Sequence, residues 1–123
     1  MSSSPTLVVY IVLRRDLIAK GGLGWPLGAL AAQVGHVSMA MLWEHREEES
    51  VHSYMADVDR MRKVVLEVPD EPSLLSVSEK LKSAGVEHRV WTEQPENTTT
   101  CLATRPYPKE AVHPHLKKLK LYS

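Results

Sequence analysis

The chain has 123 residues, 43% of them hydrophobic and 24% charged, which fits one globular domain and excludes two domains, a collagen-like repeat or a disordered chain. Fifteen basic and fifteen acidic side chains cancel, so a strongly basic nucleic-acid coat is excluded while a local basic patch stays open. The single cysteine, Cys101, has no internal disulfide partner, which favours a reducing, cytoplasmic compartment; no run approaches the ~18–20 apolar residues that cross a bilayer.

Residues 1–5 read as a flexible polar tail ahead of one domain over 6–123. Thr6–Leu13 is β-branched and almost continuously apolar, the pattern of a central strand covered on both faces. It is too short for a signal peptide and runs into Arg14 and Arg15. A loop with Gly21, Gly22 and Gly24 leads to Pro26, which suits the first turn of a helix because its missing N–H costs nothing there.

From Leu27 the spacing turns helical: Leu27, Leu30, Val34, Val37, Met41 and Leu42 form an apolar stripe. The small residues Gly28, Ala31, Ala32 and Gly35 predict a close approach of backbone or ligand near the helix start. The helix frays over Glu44–Ser50, and Val51–Met61 predicts a shorter second helix. Lys63–Val68 is a second strand. A third helix follows, capped by Asp70, with Leu74, Leu75, Val77, Ser78 and Leu81 on its inner face and Gly85 just past its end. Glu87–Thr92 and Thr99–Thr104 predict two short strands, Pro108–Leu116 a last helix, and Lys117–Lys120 a basic tail.

This order predicts a single α/β domain whose mixed, mostly four-stranded sheet carries helices on both faces. Ligands of such sheets gather outside the carboxyl ends of parallel strands. That places Arg14–Gly28 at the candidate site, joined by the Glu93–Thr100 hairpin if the sheet order allows.

Ala29, Gln33 and His36 share one face of the first helix. Gln33 and His36 either bond loop backbone or floor a cleft at the helix N-terminus, where free N–H groups favour an oxyanion or phosphate. Asp16 can order its loop, pair with Arg14 or Arg15, or position water. Glu93 and Thr98–Thr100 can orient a water nucleophile and hold a tetrahedral intermediate, or simply form a polar hairpin. Cys101, in an apolar strand, reads as core. There is no G-x-S-x-G elbow, and His113 and His115 lack the further ligands of a metal site, so none is expected. Arg14, Arg15, Lys20, Arg60, Arg62, Lys63 and Lys117–Lys120 flank strand ends, and convergence on one rim would suit an RNA backbone.

Several segments together resemble the type 2 peptidyl-tRNA hydrolases of archaea and eukaryotes: Ile11–Leu17, Gly28–His36, Arg62–Glu71 and Leu119–Tyr122. Trp25-Pro26, Arg60–Lys63, Glu93–Asn97 and Arg105–Glu110 are similar to a divergent eukaryotic branch, the peptidyl-tRNA hydrolase domain-containing proteins. The resemblance spans Val8–Tyr122.

It implies a small α/β enzyme that hydrolyses the ester between a peptide and tRNA without metal or cofactor. A binding module that has lost hydrolysis is the alternative. Glu93 falls on the family's carboxylate and Thr100 on one of its threonines, with Asp16 or His36 as further catalytic candidates. Arg14, Lys20, Gln33 and Lys63 are the candidate substrate contacts, with the tRNA acceptor stem as partner; a homodimer is compatible with this reading. The family's helix lysine falls on Ala29 here, and Lys20 or Arg14 is the candidate replacement cation.

Overall fold

The computed structural model describes residues 6–18 and 21–123; the expected tail and Lys20 lie outside them. The elements in chain order are β1 (Leu7–Arg14), α1 (Leu27–Glu44), α2 (Glu49–Ala56), β2 (Lys63–Val68), α3 (Glu71–Ser83), β3 (His88–Glu93), β4 (Thr98–Thr104), β5 (Tyr107–Pro108), α4 (Lys109–Leu116) and β6 (Lys120–Leu121). The four expected strands are present, and two two-residue strands extend the sheet to six. The order is β3-β4-β1-β2-β6, with β5 also on β1. β1 and β2 run parallel, joined through α1 and α2, and the other pairings are antiparallel.

Alternation along β1 divides the core, because successive side chains of a strand point to opposite faces. Val9, Ile11 and Leu13 pack with Leu30, Val37 and Met41 of α1 and Tyr54 of α2. Val8, Tyr10 and Val12 pack with Leu74 and Leu81 of α3 and Val112 and Leu116 of α4. β1 is thus covered on both faces, as its unbroken apolar run predicts.

Local signals set the helix ends. The Asp70 side chain accepts from the Ser73 N–H at 2.9 Å, capping α3, and Gly85 takes φ +74°, the left-handed turn that follows a helix end. Several expectations are corrected. The predicted Val51–Met61 helix ends at Ala56 and gives way to a short 3-10 turn over Val58–Arg60. Leu27 and Leu75 are exposed rather than on inner faces. Among the described residues, nothing outside the helix's own backbone lies within 4 Å of where a Cβ would stand at Gly28 or Gly35, so no other backbone packs closely on them. The Lys117–Lys120 segment is not simply a tail, since Lys120 pairs with Glu67 in the β6–β2 ladder.

Candidate active site

The carboxyl ends of β1, β2 and β3 share one edge of the sheet, and the β3–β4 turn lies there because β4 is the neighbour of β1. α1 starts above this edge. Trp25 on the incoming loop is tied down by its N–H bond to the Leu17 carbonyl at 2.7 Å. An open pocket of about 300 Å³ forms there, lined by Trp25, Pro26, Ala29, Ala32, Gln33, Glu93 and Glu96.

Thr100 is brought behind Gln33 of this pocket by a break in the ladder. Trp91 pairs with Cys101, but Thr92 pairs with Thr99, so Thr100 is an extra residue in β4. Strict alternation would turn it with Leu102 toward α3. The bulge instead aims it, together with Cys101, at α1. Its Oγ1 donates to Gln33 Oε1 at 2.8 Å, and both residues are sealed from solvent.

Glu93 sits at the end of β3 and accepts from the Trp91 indole N–H at 3.1 Å. Its carboxyl is held below the usual range, chiefly by that indole, then by the Gln33 amide, with His36 and the Gln94 backbone N–H adding to the effect. The His36 ring stacks on Trp91 with centroids 5.2 Å apart. Gln33, Glu93, His36 and Thr100 are therefore one connected group. Trp91 was not singled out by the sequence, although its place two residues before Glu93 puts both on one face of β3.

The other expected residues lie elsewhere. Arg14 is no loop cation but the last, buried residue of β1. Its Nε and Nη2 donate to the two Asp16 carboxylate oxygens, each at 2.9 Å, while Nη1 reaches the Thr99 carbonyl at 2.9 Å and Glu71 at 3.3 Å. With those donors engaged, it is a clamp joining β1, β4 and α3 rather than a free substrate contact. Asp16 is occupied by the same clamp and does not line the Glu93 pocket. Lys63 opens β2 opposite Val9, at the far end of the sheet from Arg14 and Val68, so it does not join the site. Its Nζ lies 3.0 Å from Met61 Sδ, and burial pushes its pKa down. The basic residues consequently divide between two ends of the sheet: Arg60, Arg62 and Lys63 at one, Arg15 and Lys120 at the other.

No cationic side chain lines the pocket among the described residues, and the methyl of Ala29 borders it. Cys101 is fully buried, with its thiol pushed up to about 12 by desolvation, and is not a nucleophile. His45, Glu48 and Glu87 bring ligand atoms within 4.8 Å of one another, but Arg105 pairs with both carboxylates at 3.3 and 3.0 Å. Among the described residues, no helix is long and apolar enough to cross a membrane.

A small two-faced α/β domain with this pocket at the strand ends corresponds to the class that the sequence segments resemble. The family model for peptidyl-tRNA hydrolase PTH2 matches residues 7–122, and the chain belongs to that family. Among curated relatives, it is 48% identical over 116 residues to the human protein named "Putative peptidyl-tRNA hydrolase PTRHD1", covering 94% of this chain and 82% of the relative. The mouse protein of the same name is 47% identical over the same shares.

Proposed function

We propose that the protein hydrolyses the ester between tRNA and a peptide or N-blocked amino acid, releasing free tRNA. The observation that carries this reading is the Glu93 carboxylate lining a pocket at the start of α1 beside Gln33 and bonded by the Trp91 indole, contacts that hold its pKa down. In this reading Glu93 orients a water molecule on the ester carbonyl. The water oxygen bonds to the carbonyl carbon, the bond to the ribose oxygen breaks, and a proton from water ends on that leaving oxygen. The first-turn N–H groups of α1 receive the oxyanion: those of Ala29 and Leu30 bond the Pro26 carbonyl, and those of Leu27 and Gly28 have no partner among the described residues. Thr100 acts through Gln33, fixing its amide toward Glu93, and His36 buttresses Trp91. No metal or cofactor enters this scheme, and it suits a cytoplasmic role in translation.

The exposed Lys120, at the same end of the sheet, is the proposed contact for acceptor-stem phosphates, whereas Arg15 is engaged by Glu67 and the Tyr122 ring. A second reading, a tRNA-binding module without turnover, is favoured by Ala29 at the position of the family's lysine. Incubating the protein with N-acetyl-leucyl-tRNA separates them. Multiple-turnover release of N-acetyl-leucine supports hydrolysis. Salt-sensitive tRNA binding without release supports the second reading, and neither result would refute both.

A further inference from the structure

Beyond the stacked His36 and Trp91 rings, the Glu93 pocket gives way to a larger apolar groove of about 700 Å³. Its floor is α1 with Met39, Ala40 and Trp43, its far wall is α2 with Val51 and Met55, and Trp91 of β3 closes the near end. Met39 and Trp43 are 74% and 68% exposed, an uncovered apolar surface of the kind that marks a binding site.

We propose that this groove takes the peptide part of the substrate, seating apolar side chains at the C-terminal end of an N-blocked peptide. This rests on the hydrolase reading, because that reading puts the ester carbonyl at Glu93. Continuity with that position is the main argument. Ala29, Gln33, His36, Ala40 and Trp43 follow one another at three- and four-residue steps along α1, the first two lining the pocket and the last three the groove. From Gln33 to Trp43 the helix rises roughly 15 Å, the length of four or five residues of extended chain. An acyl group bound at Glu93 therefore has its preceding residues directed over the Trp91 indole and along α1.

The groove's chemistry selects among occupants. Arg46 is spent on its neighbour, stacking on the Trp43 ring at 4.1 Å and donating to the Trp43 carbonyl at 2.7 Å, so it offers little to a phosphate. Thioethers and an indole suit apolar side chains of varied shape, because methionine repacks at small cost and is favoured where a surface must accept many partners. A hydrolase acting on peptides of many sequences needs that tolerance.

Two measurements test the groove, one without turnover. Titrated into the protein, N-acetyl-Leu-Phe-Leu should change tryptophan fluorescence saturably and bind at least tenfold more tightly than N-acetyl-Asp-Ser-Asp. Met55→Glu and Met39→Glu should each abolish that preference, both being surface substitutions that leave the core intact. In steady-state assays KM for N-acetyl-Leu-Phe-Leu-tRNA should lie several-fold below that for N-acetyl-Gly-Gly-Leu-tRNA, and Met55→Glu should collapse the ratio. Equal KM values with turnover intact, together with no peptide preference, would overturn the groove and leave the hydrolase standing. Selective peptide binding without turnover would support the groove as a peptide site while removing the hydrolase reading. A dimer in sedimentation that Met39→Glu dissociates, with no peptide bound, would give the groove to a second copy and overturn the proposal.

Discussion

Thr100 donates its hydroxyl proton to Gln33 across the α1–β4 interface at 2.8 Å, and neither residue reaches solvent. A buried amide left without this partner pays the desolvation cost of its carbonyl. Thr100→Val should therefore destabilise the fold by about 1–3 kcal/mol in urea unfolding, and Thr100→Ser should recover most of it. Turnover should follow the same order, since Gln33 would no longer be held against Glu93. Equal stability of the valine and serine variants would contradict the role assigned to this bond.

Arg14 is predicted to matter for stability more than for substrate. Its removal leaves Asp16 and Glu71 without their shared cation and the Thr99 carbonyl without a donor. Both acids are partly exposed, so Arg14→Met should cost about 2–3 kcal/mol, the scale of a charged hydrogen-bonded group rather than of a sealed ion pair. Arg14→Lys should recover only part, because an ammonium cannot fork to both oxygens of Asp16. A hundredfold loss of turnover at unchanged stability would instead make Arg14 a substrate contact.

The fold was legible because its signals are local and mutually consistent. The apolar run of β1, the Asp70 cap and Gly85 each predict their element without help from distant residues. The site was legible only in part. Glu93, Gln33 and His36 stand where helix and strand periodicity put them. Thr100 reaches α1 only through an inserted residue in β4, which no pattern of alternation announces. The pairing of Arg14 with Asp16 was open from their spacing, but Glu71 and the Thr99 carbonyl, 57 and 85 residues away in sequence, are brought to Arg14 only by the sheet. The exposed Met39 and Trp43 look in sequence like ordinary helix residues, and only the placing of α2 makes them a groove.

The pH dependence of turnover should report Glu93. Its pKa is lowered, so the carboxylate persists as pH falls through the ordinary carboxylate range, around 4.3 for a free glutamate. The acid limb of kcat/KM should therefore lie below that value, in assays confined to the range where circular dichroism shows the protein folded. Trp91→Phe removes the largest contribution to the shift and should move the limb upward. A limb near neutrality would contradict the assignment to Glu93.

Ala29 gives a prediction in the gaining direction. It borders the pocket, and the resemblance to the type 2 hydrolases puts the family's lysine at its position. A donor aimed at a developing oxyanion is worth about 2.7–4 kcal/mol where it is well placed. Ala29→Lys should raise turnover of N-acetyl-leucyl-tRNA by at least tenfold, with tRNA affinity changing far less. No gain, or a loss, would mean that the first-turn amides of α1 already meet the oxyanion without a cation.

Whether Glu93 directs water onto an ester is decided by single-turnover hydrolysis of N-acetyl-leucyl-tRNA by the unaltered protein and by Glu93→Gln, with tRNA binding measured on the same preparations. The glutamine variant should lose at least a hundredfold in rate, with tRNA bound as before. Equal rates in the two proteins would contradict that role for Glu93.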